Sequence, residues 1–332
     1  MNPELAAIFQ GKKTLITGGG GFIGSNLAHQ LNAIGARVTV VDNFAPIFGG
    51  NPFNLHGITD QIQIIKADIR DEAEMSRILP GQEYLFNLAG QVSHLDSMQD
   101  PKTDLLVNAL GQITLLELCR KINPGIRIVF GGTRQVYGQP HYLPVDEKHP
   151  LEPMDFNGIS KMAGEWYHLV SHRVYGLHTT SLRMSNVYGP RMRVRDARKT
   201  FIGIWFRKLI QGQEITIYGS GKQLRAFNYV DDVVDALLIS AHHPQAEGKV
   251  FNLGAPAISL LEMAQYMVKV NGCGSYRFKP FPPERKRIDI GDYAADYHQI
   301  QTQLGWQPLT PLEDGIARTF AYYRQHQAQY FL

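Results

Sequence analysis

The chain has 332 residues, of which 44% are hydrophobic and 19% charged, with a formal net charge of +3 at neutral pH. That length supports a large buried core, and so small a charge gives no argument for nucleic acid. Cys119 and Cys273, the two cysteines, lack the spacing of a metal or redox site and suit a reducing compartment. Met1–Lys13 has no apolar signal core and no run reaches transmembrane length, so a cytoplasmic protein with no membrane or nucleic-acid partner and no metal is expected.

Lys13–Thr17 reads as a buried strand, and Gly18, Gly21 and Gly24 then fall at intervals of three. Glycine there serves a tight turn, close backbone approach to a pyrophosphate, and tight packing of helix on strand. A helix from about Phe22 to Gly35 directs free N–H groups and its positive dipole end at that pyrophosphate. Asp42 closes the next strand, close to the spacing at which an acid accepts hydrogen bonds from ribose hydroxyls. A lone glycine triplet is a weak signal. Set between two strands and completed by Asp42, it predicts a dinucleotide site. Asn43 and Phe44 follow, so nothing basic neutralises a 2′-phosphate, and NAD rather than NADP is expected.

Asn43–Gly57 is a loop rich in Gly, Pro and Asn beside the expected adenosine. Gln61–Asp71 predicts a strand that brings Asp68 and the Ile69 backbone to the adenine. A fourth strand, Tyr84–Gly90, ends in small residues that let the backbone lie against a cofactor. Pro101–Lys121 is a long amphipathic helix with Leu105, Leu106, Ala109, Ile113, Leu116 and Cys119 as its apolar positions. Ile126–Phe130 is a fifth strand. The alternation predicts an α/β fold, a doubly wound parallel (Rossmann) sheet.

Beyond Gly131–Gly138 and a loop to Pro153, a helix opens at Asn157 and runs to about Tyr175, followed by a strand at Thr179–Arg183. Arg191, Arg193, Arg195, Arg198 and Lys199 form the one dense basic run, either a solvated loop or a flap facing a diphosphate. Ile215–Arg225 predicts a hairpin or strand-turn that delivers Arg225 to a site. Asn228–Asp232 caps a helix to Ala241, Val250–Leu253 is a strand, Ser259 caps a helix to Val270, and Gly315–Gln325 closes the chain. Residues 1–183 with 228–252 are expected to form the dinucleotide domain, and 184–227 with 253–332 a smaller substrate lobe.

TGGGGFIG (17–24), Asp42, DIRD (68–71), NLAGQ (87–91), GGTRQVYG (131–138), SK (160–161), LRMSNVYGPR (182–191), YGSGKQLRAFNYVDD (218–232) and FNLG (251–254) follow in order. Together they resemble the extended short-chain dehydrogenase/reductases acting on nucleotide sugars, the UDP-galactose 4-epimerase group with its epimerase and dehydratase relatives. The resemblance implies NAD held by Gly18, Gly21, Phe22, Ile23, Gly24, Asp42, Asn43, Asp68, Ile69, Leu88, Ala89, Gly90, Asn108 and Lys161. It makes Thr133 the catalytic Ser/Thr and Lys161 the catalytic lysine. It gives Ser93, Asn186, Arg191, Tyr218, Arg225 and one of Arg285 or Arg287 to a nucleoside-diphosphate sugar, arginine suiting a diphosphate by its planar, bidentate donors. It also implies a homodimer formed by the helices at 102–121 and 158–175.

One position departs from that pattern. Four residues before the lysine, where the family carries its tyrosine base, stands Asn157. Asn157 shares a helix face with Lys161 and is placed to hydrogen-bond substrate, but a neutral amide is no base. The replacements in reach are Lys161 with a lowered pKa, Tyr137, His94, Asp155, or a water relayed through Thr133. The alternatives are a protein that binds without turnover and a sequence altered to trap substrate. Retention of every other motif favours chemistry that depends on Lys161 and Thr133. After Thr133, where relatives that dehydrate or decarboxylate carry acids, stand Arg134 and Gln135, neither able to act as acid or base near neutral pH. Arg134 either reads an anionic sugar substituent or is a surface or loop-bracing arginine. An NAD-dependent epimerase is therefore expected, ahead of a dehydratase with an unusual base or an impaired binding protein.

Overall fold

A computed structural model describes residues 3–45, 48–195 and 200–331. Its strands are β1 (Lys13–Thr17), β2 (Arg37–Asp42), β3 (Gln63–Lys66), β4 (Tyr84–Asn87), β5 (Arg127–Thr133), β6 (His178–Met184), β7 (Asn186–Tyr188), β8 (Ile215–Tyr218), β9 (Leu224–Tyr229), β10 (Val250–Asn252), β11 (Ala257–Ser259) and β12 (Tyr276–Lys279). Seven form a parallel sheet in the order β10-β6-β5-β4-β1-β2-β3. The helices used below are α1 (Pro3–Phe9), α2 (Phe22–Ala33), α3 (Glu72–Ile78), α4 (His94–Gln99), α5 (Pro101–Leu105), α6 (Gly111–Ile122), α7 (Phe156–Tyr175), α8 (Phe201–Ile210), α9 (Val230–His242) and α10 (Leu260–Asn271).

Successive strand side chains point to opposite faces, so a sheet covered on both sides needs unbroken apolar runs. Leu15 packs into a core with Leu115, Leu116 and Cys119, while its neighbour Ile16 faces Leu27, Leu31 and Leu237 on the other side. Full burial of one such side chain contributes about 1.5–3 kcal/mol. A separate core of Trp205, Phe206, Ile215, Ile217, Met263 and Phe320 lies beneath the smaller sheets.

Several local expectations change. Ile215–Arg225 is not a hairpin: β8 pairs in parallel with β12, whereas β9 lies between β11 and β7 in a three-stranded sheet. Gln61–Asp71 yields only the four-residue edge strand β3, with Asp68 already beyond it. The helix at Pro101–Lys121 contains a π-helical stretch at Leu106–Leu110, and of its apolar positions Leu105, Leu106 and Ile113 are exposed. A helix that periodicity does not announce, α1, buries Leu5 and Phe9. Ser259 does cap α10, in a reciprocal arrangement with Glu262.

Candidate active site

The strand order reverses between β1 and β4, the place where open α/β sheets bind ligands. A cleft of about 360 Å³ opens there. Gly18 has φ +71°, and a Cβ on it would sit 2.8 Å from the Ala89 nitrogen, so only glycine lets this turn meet the end of β4. A Cβ on Gly24 would collide with the Gly18 carbonyl, whereas one on Gly21 would meet only that oxygen, at 3.1 Å. No side chain caps the N-terminus of α2, which leaves its first N–H groups to a ligand. Asp42 takes the amide of Gly20 on one oxygen (2.9 Å) and that of Phe44 on the other (2.7 Å). Burial raises its pKa against the pull of those two bonds. Phe44 sits at φ +50°, and its ring fills the space a side chain at Gly20 would need. Asp68 pairs with Arg70 at 2.8 Å and accepts from Asn43 at 3.0 Å; the Arg70 hydrogen bond is the main cause of a pKa lowered to about 2.

At the other end, β5 delivers Thr133, whose hydroxyl accepts from the Gln135 amide at 3.2 Å and caps a 3-10 turn over Arg134–Tyr137. Asp155 caps α7 by accepting from Gly158 at 2.7 Å, which sets the register that brings Asn157 and Lys161 to the cleft. Lys161 lies 5.4 Å over the Phe130 ring. Burial lowers its pKa to about 8, opposed by the charge of Asp104. A Cβ on Gly90 would stand 2.6 Å from the lysine nitrogen, so this small residue three positions beyond β4 makes room for Lys161.

Asn157 is occupied. Its amide nitrogen donates to Asp104 Oδ2 and to the Gln91 carbonyl, both at 2.9 Å, and Asp104 also accepts from Asn108 at 3.1 Å. The other oxygen of Asp104, which is fully buried, has no hydrogen-bond partner among the described residues. His94 Nδ1 stands 2.6 Å from Asp155 Oδ2, and its Nε2 stands 2.6 Å from the Gln135 side-chain nitrogen. His94, Thr133, Gln135, Asn157 and Lys161 all line the cleft. Tyr137 drops out as a base: its buried hydroxyl donates to Asn252 and accepts from Arg183, both at 2.7 Å, and burial pushes its pKa up to about 12.

A glycine cradle, a buried acid closing β2 and a buried lysine at the far end thus share one cleft. Residues 14–254 match the model of the NAD dependent epimerase/dehydratase family.

The chain belongs to this family.

It is 34% identical over 310 residues to a putative UDP-glucose 4-epimerase of Methanocaldococcus jannaschii, covering 92% of this chain and 96% of that protein. The UDP-glucose 4-epimerase of Thermotoga maritima, solved with UDP-glucose, superimposes with a TM-score of 0.87 at 32% identity, covering 95% of this chain and 99% of that one. A dTDP-glucose 4,6-dehydratase of Streptomyces venezuelae, solved with NAD bound, gives a TM-score of 0.87 at 27% identity, covering 96% and 98%.

In this epimerase/dehydratase chain the cleft gathers Gly18, Gly21, Phe22, Ile23, Gly24, Asp42, Asn43, Asp68, Ile69, Leu88, Ala89, Gly90 and Asn186 from the sequence-derived set, besides Thr133, Asn157 and Lys161. Other residues expected at the site lie outside that lining. Asn108 is buried behind Gly90, bonded to the Gln91 backbone. Ser93 is fully buried, its hydroxyl accepting from Asp96 at the start of α4. Arg191, at φ +70°, donates to Asn26 at 2.8 Å and lies over the Tyr322 ring. Arg225 is held by the carbonyls of Leu224 and Gly291 and by Asp289 at 3.2 Å, not extended into the cleft. Tyr218 ends β8 near Phe281, and Arg287 is exposed. The side chain of Arg285, and Arg198 and Lys199 of the basic run, lie outside the described residues.

Arg134 is no surface arginine. It is buried against Tyr293 and lines the cleft, and one terminal nitrogen lacks a partner among the described residues. Burial, then the charge of Arg225, lowers its pKa to about 10. Asp104 is the member of the site that sequence reasoning misses; its one local signal is its position four residues before Asn108, on the same helix face.

Proposed function

We propose that this protein is an NAD-dependent nucleotide-sugar epimerase that oxidises its sugar transiently and restores it with one centre inverted. The observation that carries this choice within the family is the pair Arg134 and Gln135 in the cleft. The two positions after Thr133 hold a guanidinium and an amide, so elimination and decarboxylation lack their acid–base groups. Bound NAD supplies the hydride acceptor and later donor. The glycine turn and α2 would take its pyrophosphate, Asp42 its adenosine ribose and Lys161 its nicotinamide ribose. Thr133 would hydrogen-bond the reacting sugar hydroxyl, with Asn186 and, once released from Asp289, Arg225 on the diphosphate.

The smaller sheets and their separate core support a division into a dinucleotide domain (1–183 and 228–252) and a sugar lobe (184–227 and 253–332). Leu105, Leu110, Ile113, Ile159, Trp166, Val170 and Val174 are exposed on α5, the π-helical stretch after it, α6 and α7. An apolar face of this extent supports a homodimer through those helices; sedimentation as a monomer would remove it. Among the described residues no helix is long and apolar enough to cross a membrane, which is compatible with a cytoplasmic site of action.

The test is incubation of the NAD-loaded protein with UDP- and dTDP-linked hexoses and uronic acids, with products read by NMR and mass spectrometry. An epimer of unchanged mass is expected. Loss of water or of carbon dioxide would move the assignment to dehydration or decarboxylation, and binding without any product would make it a sugar-nucleotide-binding protein.

A further inference from the structure

We propose that His94, oriented by Asp155, is the base that stands in for the missing phenol. The inference rests on the epimerase reading and assigns a residue to its proton transfer. Three observations lead to it. First, Asn157 does not offer its amide hydrogens to a substrate, because they are engaged by Asp104 and the Gln91 carbonyl. Second, Tyr137 is tied to Asn252 and Arg183 away from the cleft. Third, His94 lines the cleft that also holds Thr133 and Lys161, and the buried Asp155 behind it stands 2.6 Å from its Nδ1, a base-and-orienter pair.

The contacts around His94 suit one tautomer. Asp155, a carboxylate, accepts at Nδ1, so that nitrogen carries the proton. The side-chain amide of Gln135 stands at Nε2, and with its N–H turned to the ring it leaves Nε2 to offer a lone pair. An imidazole with Nδ1–H on a carboxylate and a free lone pair on Nε2 is ready to accept a proton. The orienting carboxylate is itself fixed. Asp155 is buried at the N-cap of α7, and its second oxygen accepts from Gly158. Burial would raise Asp155, but the hydrogen bond and charge of His94, the Gly158 amide and the charge of Arg134 hold it below the ordinary carboxylate value. Asp155 is thus a persistent anion, which stabilises the imidazolium once a proton arrives. The side chain of His94 is 28% exposed, on the cleft side.

A sugar hydroxyl entering the corner replaces the Gln135 amide at Nε2. Its O–H bond breaks and the proton moves to Nε2, while the bonding pair becomes the second C–O bond of a ketone as the carbon's hydride leaves to the oxidised dinucleotide. Reversal on the other face of the sugar returns both, so protons and electrons balance over the cycle. Gln135 then serves as gatekeeper of the lone pair, and Thr133, bonded to the Gln135 backbone, lies beside the same hydroxyl. Lys161 remains on the cofactor side, under Gly90 and over Phe130.

The experiment compares the unmodified holoprotein with His94→Asn and Asp155→Asn. Asparagine at 94 retains a donor for Asp155 and removes Nε2, so positioning survives while the base is lost. The expected result for His94→Asn is a fall in kcat of roughly 10²–10⁴ with KM and NAD affinity within about threefold. The acidic limb of the pH–rate profile should vanish with it. Asp155→Asn should shift that limb and lower kcat by less. Turnover by His94→Asn within about twofold of the unmodified rate overturns the assignment. A second readout does not need turnover: 15N NMR of histidine-labelled holoprotein should show Nδ1 of His94 protonated and Nε2 shifting when the panel of nucleotide sugars is added. A protonated Nε2 in the free holoprotein at neutral pH, or no shift with any sugar that binds, overturns it as well. If the unmodified protein produces no epimer while Nε2 responds, the epimerase reading fails and the contact with His94 stands.

Discussion

The two ends of the cleft are built on different principles. At the dinucleotide end the contacts are backbone: a glycine turn at φ +71°, an uncapped helix N-terminus and one carboxylate clamped by two amides. At the end proposed for the sugar they are side chains that have found one another, Asn157 with Asp104 and His94 with Asp155 and Gln135, while Arg225, outside the cleft lining, is held by Asp289. The first arrangement is ready for its ligand and intolerant of side chains. The second exchanges internal hydrogen bonds for substrate contacts, and its chemistry turns on which bonds open.

The largest expected effect comes where the two ends meet. Lys161→Met should abolish turnover and weaken NAD, because it removes the cation that the proposed function sets against the nicotinamide ribose; product formation and reduced-nicotinamide absorbance read it. Full turnover by that variant would mean the ends are uncoupled. Thr133→Val should lower turnover by about 10- to 10³-fold, within the range of acid–base assistance, with NAD affinity retained. Asn157→Ala should be milder than Lys161→Met and chiefly cost stability. It takes a donor from buried Asp104, worth about 1–3 kcal/mol, and a denaturant midpoint equal to that of the unmodified protein would show that Asp104 does not need it.

Arg225→Ala sharpens the comparison at the sugar end. If the guanidinium leaves Asp289 for the diphosphate, the dissociation constant for the nucleotide sugar should rise about ten- to a hundredfold, the worth of one charge-assisted contact. NAD affinity should hardly change. Unaltered sugar affinity would show that Arg225 stays with Asp289 and braces the lobe. Asp42→Ala probes the opposite end: NAD should bind more weakly and its advantage over NADP narrow, as titration calorimetry would report. Equal affinity of the unmodified protein for both dinucleotides would sink this assignment.

The smallest effect is one of pH. Burial lowers the pKa of Lys161 in the folded protein to about 8, from its ordinary value of 10.5. Below pH 8 it is charged in both states, and the cost of burying that charge is borne in full. Between about pH 8 and 10.5 the unfolded chain binds the extra proton, so this residue's contribution to stability rises with pH. The stability advantage of Lys161→Met over the unmodified protein should therefore shrink from pH 7 to pH 9.5 in urea unfolding. A constant difference would place the lysine in a wetter site than the fold indicates.

The dinucleotide end was legible in the sequence because its contacts are local. Gly18, Gly21 and Gly24 lie within one turn and the start of one helix, and their spacing states the backbone geometry. Asn157 and Lys161 share a face because four residues make about one helical turn. Nothing local announces that Asn157 bonds Asp104 across 53 residues, or that His94 meets Asp155 across 61. The same holds for Arg225, which the strand pattern delivers to a site but which the loop at Asp289–Gly291 receives instead. The sequence by itself determined the sheet, the cradle and the absent phenol, since backbone conformation and helix register follow from neighbours along the chain. Only the tertiary structure decided which polar side chains are already paired and which face the cleft. A hydrogen bond between distant segments depends on where the whole core places their strands and helices, and residue type alone says what a group can bond, never what it does bond.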